Sequence, residues 1–402
     1  MSSKRKVLLV TTVSGFVPQF EMNNVRLLQE MGYEVHYASN YNTPSYGDDN
    51  HRLDGTGIIR HQIDFVRSPF RPENISVYRR LCRLMREEHF SLVHCHTPMG
   101  GVMARLAAHA THTGPVIYTA HGFHFFKGAP AVNWLCYYPM ERFLSRYTDQ
   151  QICINQEDYR LAKKTFRAGH VDYIPGAGID LTGIPSLDDR QIREKKEALK
   201  LPQDKLLLLS SGELIKRKNH ETALRALAEF RKTAPVPAAG VHYVICGHGR
   251  LEAYLKELAE SLGISDMVTF LGYREDMLEI YQTADLFLFP SYQEGLPMAL
   301  LEAMASGLPV ICSDIRGSRD LMGKPLREAG PLKEYAGGIS VDRADHVAAY
   351  VQALQRLVSA PDALPALGRT NISRSRDFSA PRVTARMKQI YTRLLNAERA
   401  QE

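Results

Sequence analysis

Phe289-Pro-Ser-Tyr-Gln-Glu-Gly-Leu-Pro-Met-Ala-Leu-Leu-Glu-Ala-Met-Ala-Ser-Gly-Leu-Pro-Val-Ile-Cys312 reads as a strand, a turn and a helix. The apolar run from Asp285 to Phe289 has strand length and stops at Pro290. Gly295 loosens the turn, and Pro297 suits the first helical position, where a missing N–H costs nothing. The helix opens at Met298. The free amides of Met298, Ala299 and Leu300 then point out of its N-terminus and favour an anion such as a diphosphate. Glu294 lies in the turn. Glu302 follows Met298 by four residues, on the same face and one turn deeper, so both carboxylates can face one ligand.

The same alternation runs outward in both directions, which argues for parallel sheets covered on both faces. The first half carries strand-like runs at Lys6 to Thr12, Glu34 to Ala38, Ile58 to Ile63, Leu92 to His96, Val116 to Ala120, Gln151 to Ile154 and Val171 to Ile174. Helical patterns stand between them, including Phe20 to Met31, Val77 to Glu88, Gly101 to His112 and Asn155 to Phe166. The pattern breaks after Pro175-Gly-Ala-Gly178 into Ile184-Pro-Ser-Leu-Asp-Asp and a charged helix, Arg190 to Lys200. A second series takes in Leu206 to Ser210, Tyr243 to Cys246, Val268 to Leu271, Leu286 to Phe289, Val310 to Cys312 and Gly338 to Val341. A final helix, Arg382 to Leu395, has Val383, Met387, Ile390, Tyr391 and Leu394 at helical spacing. Two doubly wound domains are expected, at 1–185 and 186–378, with a terminal helix at 379–402. Ligands of such folds lie at the carboxyl ends of the strands, in the cleft the two domains form.

Composition narrows the function. The 402 residues, 44% hydrophobic and 23% charged, suit two soluble domains. Met1-Ser-Ser-Lys-Arg-Lys leads straight into Val7-Leu-Leu-Val10, too short for a signal peptide or membrane span, which implies a cytoplasmic protein. Six unpaired cysteines in apolar segments read as reduced core residues. A net charge of +6 is too modest and too dispersed for a nucleic-acid binder. Arginine does cluster, with eight between Arg52 and Arg86. That is either a solvated basic helix or a surface that rests on anionic lipid headgroups together with the aromatic segment Phe123 to Phe126.

The spacing Glu294-x7-Glu302 resembles the donor-site signature of retaining GT-B glycosyltransferases (glycosyltransferase family 4, group 1). In that family the first Glu contacts the donor sugar and the second the ribose hydroxyls. The resemblance covers nearly the whole chain. In Ser211-Gly-Glu-Leu-Ile-Lys-Arg-Lys-Asn-His220, Lys218 matches the lysine that holds the donor diphosphate, and its ammonium would neutralise charge on the leaving nucleotide. Many relatives carry Arg where this chain has Glu213, so the second cation falls to Arg217 or Lys216.

Gly247-His-Gly-Arg250 looks like a phosphate or nucleotide-edge turn. Glu252 stands where a dinucleotide fingerprint needs its third glycine, which argues against an oxidoreductase. Tyr273 matches the position that cradles the nucleobase, or is a half-buried aromatic. Val13-Ser-Gly15 resembles the family's phosphate-approaching glycine loop, or is a tight turn. His121 matches the active-site histidine and can donate to a sugar hydroxyl or orient the acceptor.

His124, between two aromatics, reads first as a packing residue and second as an acceptor contact. His94-Cys-His96 puts two imidazoles on one strand face, but neither a CxxC nor a third metal ligand is nearby, so strand-end packing and acceptor contact by His96 are the expectation. The stretches His94 to Arg105 and Tyr118 to Tyr159 look most like enzymes that build bacterial capsule and exopolysaccharide.

The resemblance implies a retaining enzyme that moves a sugar from a nucleotide donor, UDP-linked, to a polyprenyl-diphosphate-linked saccharide at the inner face of the cytoplasmic membrane. No metal or other cofactor is expected, because Lys218 and a helix N-terminus replace an Asp-x-Asp, and Asp48-Asp49 and Asp188-Asp189 fall in loops. A nucleotide-sugar epimerase of the same architecture and a nucleotide-sugar-binding protein without turnover are the alternatives.

Overall fold

The computed structural model describes residues 5–45, 50–233 and 240–399, so Asp48-Asp49 lie outside the described residues. Two compact units emerge. One holds the described residues up to Gly178 together with those from Ala380 onward, and the other runs Ile179–Ser379. The divisions therefore fall at Gly178/Ile179 and Ser379/Ala380, where the sequence suggests 185/186 and 378/379.

The first unit is built on seven parallel strands: β1 (Lys6–Val13), β2 (Glu34–Asn40), β3 (Ile59–Gln62), β4 (Leu92–His96), β5 (Val116–Ala120), β6 (Gln150–Cys153) and β7 (His170–Tyr173), in the order β3-β2-β1-β4-β5-β6-β7. Strand β4 is buried at every position, as a parallel strand enclosed on both faces must be. On one face Val77, Leu81 and Met85 of the helix Glu73–Glu88 meet Met99 to Ala108 of the helix Pro98–Thr111.

On the other face the terminal helix Ala380–Arg399 buries Val383, Met387, Ile390, Tyr391 and Leu394 beside Val7, Leu9 and Val25. Each such side chain contributes about 1.5–3 kcal/mol of transfer free energy, which fixes this helix on the sheet. Tyr391 also bonds His94 Nδ1 at 2.9 Å.

The second unit carries β8 (Leu206–Ser211), β9 (Val241–Cys246), β10 (Val268–Gly272), β11 (Leu286–Phe289), β12 (Val310–Ser313), β13 (Arg327–Ala329), β14 (Leu332–Tyr335) and β15 (Gly338–Val341), in the order β10-β9-β8-β11-β12-β15-β14-β13. All pairs are parallel except β13 with β14 and β14 with β15. Those two short strands escape a reading by apolar pattern because charged residues interrupt them: Arg327 stands opposite Glu334 and Glu328 opposite Lys333, while Lys333 binds Asp314 at 2.8 Å and Glu334 pairs with Arg356.

Of Asp188-Asp189, only Asp188 stands in the loop, with Asp189 opening a helix. Asp188 caps the helix Asp189–Ala198 in a reciprocal box with Gln191, and Lys195 of that helix binds Asp276 at 2.6 Å within the second unit. Cys136 is also a correction to the sequence reading: it is exposed, while the other five cysteines are buried.

Among their parallel strands both sheets reverse order, between β1 and β4 in the first and between β8 and β11 in the second. At such a reversal neighbouring crossovers leave in opposite directions and open a crevice beyond the carboxyl ends of the strands.

Candidate functional site

Lys218, Arg217, Glu294 and Glu302 gather at the β8/β11 reversal. After β8 the chain makes a turn of 3-10 helix, Lys216–Lys218, and then Asn219 takes a left-handed conformation at φ +57°. Asn219 is buried. Its Nδ2 donates to the carbonyls of Pro290 (2.9 Å) and Ala344 (2.7 Å), which clamps this turn to the loop that leaves β11. Tyr292 N adds a bond to the Arg217 carbonyl at 2.9 Å. The clamp brings Lys218 Nζ to 2.8 Å and Arg217 Nη1 to 2.6 Å from the same Oε1 of Glu294. Burial pushes the Glu294 carboxyl up, but the charges of Lys218 and Arg217 outweigh it and hold the group below its usual value.

Arg217, not Lys216, is thus the second cation beside Glu294; Glu213, Lys216 and Arg217 are all exposed. Behind Gly295 and Pro297 stands Gly317, whose missing side chain lets the turn sit close: a Cβ there would lie 2.5 Å from the Gly295 carbonyl.

Pro297 is the cap and Met298 the first residue of the helix Met298–Ala305, with Met298 and Ala299 partly exposed. One turn in, Glu302 Oε2 receives the Tyr281 hydroxyl at 3.2 Å, and Ser211 Oγ meets that hydroxyl at 2.8 Å. Burial raises the Glu302 carboxyl while the Tyr281 bond opposes the shift. Two carboxylates of opposite character therefore line one strand-to-helix turn, Glu294 held ionised by cations and Glu302 held by a phenol.

The glycine positions have a different cause from the one expected. The loops after β8 and β9 lie on each other, and a Cβ at Gly247 would meet the Gly212 carbonyl at 2.0 Å. Gly247 is therefore required by protein packing, whether or not a phosphate also approaches it. Gly15 is buried, and the carbonyls of Ser45 and Pro44 fill its open side. The Gly15 N–H donates to the Pro44 carbonyl at 2.7 Å, so the chain itself occupies this close approach. Tyr273 stands 66% exposed beyond β10 with its ring edge-on to His248, so it is not a half-buried packing residue.

At the β1/β4 reversal of the first unit, Thr97 adopts φ +63°, an outlier for a β-branched residue. Thr12 holds it there, the Thr12 N–H donating to Thr97 Oγ1 at 3.0 Å and the two hydroxyls meeting at 2.8 Å. Strain of this kind collects at functional sites. Beside it His121 keeps a partly exposed ring, and Phe16 packs edge-on against it at 4.8 Å.

His96, expected to touch the acceptor, is wholly enclosed and meets His121 instead, Nδ1 to Nε2 at 3.1 Å. Glu21 completes a cluster whose ligand-type atoms lie within 4.8 Å of one another, close enough to consider a metal. The imidazole centroids, however, are 5.4 Å apart, as far as a 3.1 Å nitrogen contact permits, so the two nitrogens point along one line instead of converging on a common point. That is hydrogen-bond geometry.

His124 is exposed with its ring against Tyr137. Phe123 and Phe125 are buried in the core and cannot serve as the membrane-facing aromatics.

Residues 22–182 match the glycosyltransferase family 4 and residues 191–362 match the glycosyl transferases group 1. Over 401 residues the chain is 34% identical to EpsD of Bacillus subtilis (strain 168), a protein named as a glycosyltransferase, covering 98% of each. The chain is a group 1, family 4 glycosyltransferase. It is also 27% identical over 322 residues to the UDP-Gal:alpha-D-GlcNAc-diphosphoundecaprenol alpha-1,3-galactosyltransferase of Escherichia coli, covering 79% of this chain and 80% of that one.

Among solved structures, sucrose-phosphate synthase of Thermosynechococcus elongatus matches with a TM-score of 0.75 at 19% identity, over 98% of this chain and 100% of that one. HepE of Anabaena, crystallised with UDP and glucose, matches at 0.74 and 16%, over 96% and 99%. The fold of this glycosyltransferase is thus GT-B, with two Rossmann-like domains.

Four residues of the glycosyltransferase escape a reading of the sequence. Asn219, Tyr281, Thr97 and Glu21 act through partners far away in the chain. Asn219 alone leaves a local trace, an Asn directly after the cationic run, the residue type that most readily takes φ > 0 besides Gly.

Proposed function

We propose that this glycosyltransferase works with retention, taking its sugar from a UDP-linked donor and passing it to a polyprenyl-diphosphate-linked saccharide for surface polysaccharide. The observation that carries the reading is the junction of Lys218, Arg217 and Glu294 at the switch point of the second sheet. Lys218 and Arg217 neutralise the departing diphosphate with the help of the amides of Met298 and Ala299, so no metal is needed at the phosphates. When an anionic diphosphate draws on the same cations, Glu294 shares them and stays ionised, which suits contact with the sugar as positive charge grows at its anomeric carbon. Glu302 accepts from the ribose hydroxyls, Tyr273 and Gly247 border the base and phosphates, and His121 donates to a sugar hydroxyl. The leaving diphosphate acts as the base, so no protein nucleophile is assigned.

The choice of donor and acceptor is supported by the E. coli relative, whose name gives UDP-Gal and a GlcNAc-diphosphoundecaprenol as its substrates. Peripheral attachment to a membrane is supported by the surface of the first unit. The helix Ala131–Leu144 turns Val132, Leu135, Cys136, Pro139 and Phe143 outward, all on one stripe of helical spacing. Its inner side is anchored by Glu141, which binds the buried Arg105 at 2.8 Å. The helix Glu73–Glu88, on the same core, exposes Arg79, Arg80, Arg83 and Arg86. An apolar stripe and a basic one on two helices of the same core suit an interfacial anchor. Among the described residues no helix is long and apolar enough to cross a membrane.

Nucleotide-sugar consumption measured with and without an undecaprenyl-diphosphate-GlcNAc acceptor tests the proposal. Transfer of label into the lipid phase is expected. Turnover of donor to an epimeric nucleotide sugar, with no label in lipid, would overturn it.

A further inference from the structure

The hydrogen bond from one imidazole of the first unit to another has a direction that its surroundings decide. His96 Nδ1 and His121 Nε2 face each other in line at 3.1 Å, so one of them carries the proton and the other accepts it. Both rings are neutral: burial pushes His121 down to about 4, and burial followed by the neighbouring His94 and His121 pushes His96 well below its ordinary value. Each ring therefore owns a single N–H. If His121 supplied the proton, that of His96 would have to sit on Nε2. This atom is enclosed and has no hydrogen-bond partner among the described residues, and the rings of His94 and Phe16 pack against the His96 ring. A buried N–H without an acceptor is a rarer and costlier orphan than a bare lone pair.

Glu21 favours the same arrangement. Its Oε1 lies 3.6 Å from His96 Nδ1 and 3.9 Å from His121 Nε2, so in its ionised form it attracts a proton more strongly to the nearer nitrogen, while Asn24 holds its other oxygen at 2.6 Å.

We infer that His96 donates through Nδ1 and thereby fixes His121 in the tautomer whose only N–H is at Nδ1. His96 is then a positioning residue, and His121 offers a ligand a hydrogen-bond donor, with its Nε2 lone pair already occupied and unable to act as a base. The chain of contacts explains why the two histidines flank adjacent strand ends, His96 closing β4 and His121 following β5. Its consequence for turnover rests on the transferase reading above, whereas the tautomer itself does not.

The test uses the full-length protein labelled with 15N-histidine and long-range proton–nitrogen correlation spectra at neutral pH, with His121→Asn for assignment. Wild type is expected to show His121 protonated at Nδ1 and bare at Nε2. His96→Asn, whose amide can stand where Nδ1–H stood, keeps that pattern, and His96→Leu loses it. In the transfer assay, His96→Leu lowers kcat at least about tenfold without changing KM for the donor, a completely lost donor being worth about 100-fold or more, and His96→Asn restores most of it. A His121 protonated at Nε2 in wild type overturns the inference, and this spectrum decides even if His96→Leu does not fold. An unchanged His121 tautomer in folded His96→Leu also overturns it. The expected spectra with unchanged kcat in His96→Leu would uphold the tautomer and remove His121 from the transfer reaction.

Discussion

Lys218 Nζ lies 2.8 Å from Oε1 of Glu294, and the pair joins two loops that are more than seventy residues apart in sequence. Because Arg217 shares that oxygen, Lys218→Ala leaves Glu294 still countered and the protein folded. Turnover at saturating donor is expected to fall about 100-fold or more, as for loss of one aimed electrostatic group. Glu294→Ala should likewise lower turnover more than donor affinity. The two effects should be markedly less than additive in the double variant, because each residue positions the other. Single-turnover rates on the three variants check this; simple additivity would count against a shared role.

Glu302 and Tyr281 should separate by binding. Loss of a charge-assisted bond in Glu302→Ala is expected to weaken donor binding by roughly 1.5–3 kcal/mol. Tyr281→Phe removes only the phenol that holds Glu302 at 3.2 Å, and roughly 1 kcal/mol is expected. Calorimetric titration with the nucleotide and with the nucleotide sugar measures both. A larger loss in Tyr281→Phe than in Glu302→Ala would move the donor contact away from Glu302.

Glu21 gives a pH signature. Burial raises its carboxyl from 4.5 to about 7, the Asn24 bond opposing only part of the shift. A folded value above the unfolded one means that ionising Glu21 destabilises the fold. The cost is absent below about pH 4.5, grows as pH rises towards 7, and is full above it. Glu21→Gln keeps the side chain's shape and cannot ionise, so its gain over wild type should be near zero at low pH and approach about 3 kcal/mol at pH 8. Urea unfolding of both proteins across this range decides; a gain that shrinks with rising pH would show that Glu21 is ionised in a stabilising contact.

Much of the architecture is legible in the sequence. Thirteen strands can be read, most of them because parallel strands buried on both faces are continuous apolar runs, and Glu294, Glu302 and Lys218 because their motif places them after strands. The helix Ala131–Leu144 is not. Trp134, Tyr138 and Leu144 face the protein while Val132, Leu135 and Phe143 face outward, so no apolar period survives, and Pro139 reads as a breaker. His96 suggests an acceptor contact because a strand's last residue sits at the ligand end, yet only packing reveals that Phe16 and His121 seal it. Gly15 and Gly247 are legible as close approaches but not as approaches of the chain to itself.

The helix Ala131–Leu144 also carries the membrane prediction. Leu135 is 76% exposed at the centre of its stripe, so Leu135→Glu should leave stability unchanged while reducing sedimentation with anionic vesicles several-fold. Replacing Arg79 and Arg83 together should weaken binding to anionic vesicles and lower its salt sensitivity, since headgroup attraction is screened over about 10 Å at 0.1 M. Undiminished binding of both variants would place the contact elsewhere.

The most direct test of the proposed mechanism is the anomeric configuration of the product. Wild-type enzyme and Lys218→Ala are incubated with a panel of nucleotide sugars and a polyprenyl-diphosphate-linked saccharide in the presence of EDTA, and the linkage of the extended lipid is read by NMR. Retention at a cationic, metal-free donor site predicts an α-linked product from an α-configured UDP-sugar, formed without added metal and about 100-fold more slowly by Lys218→Ala. An inverted linkage, or equal rates for the two proteins, would contradict it.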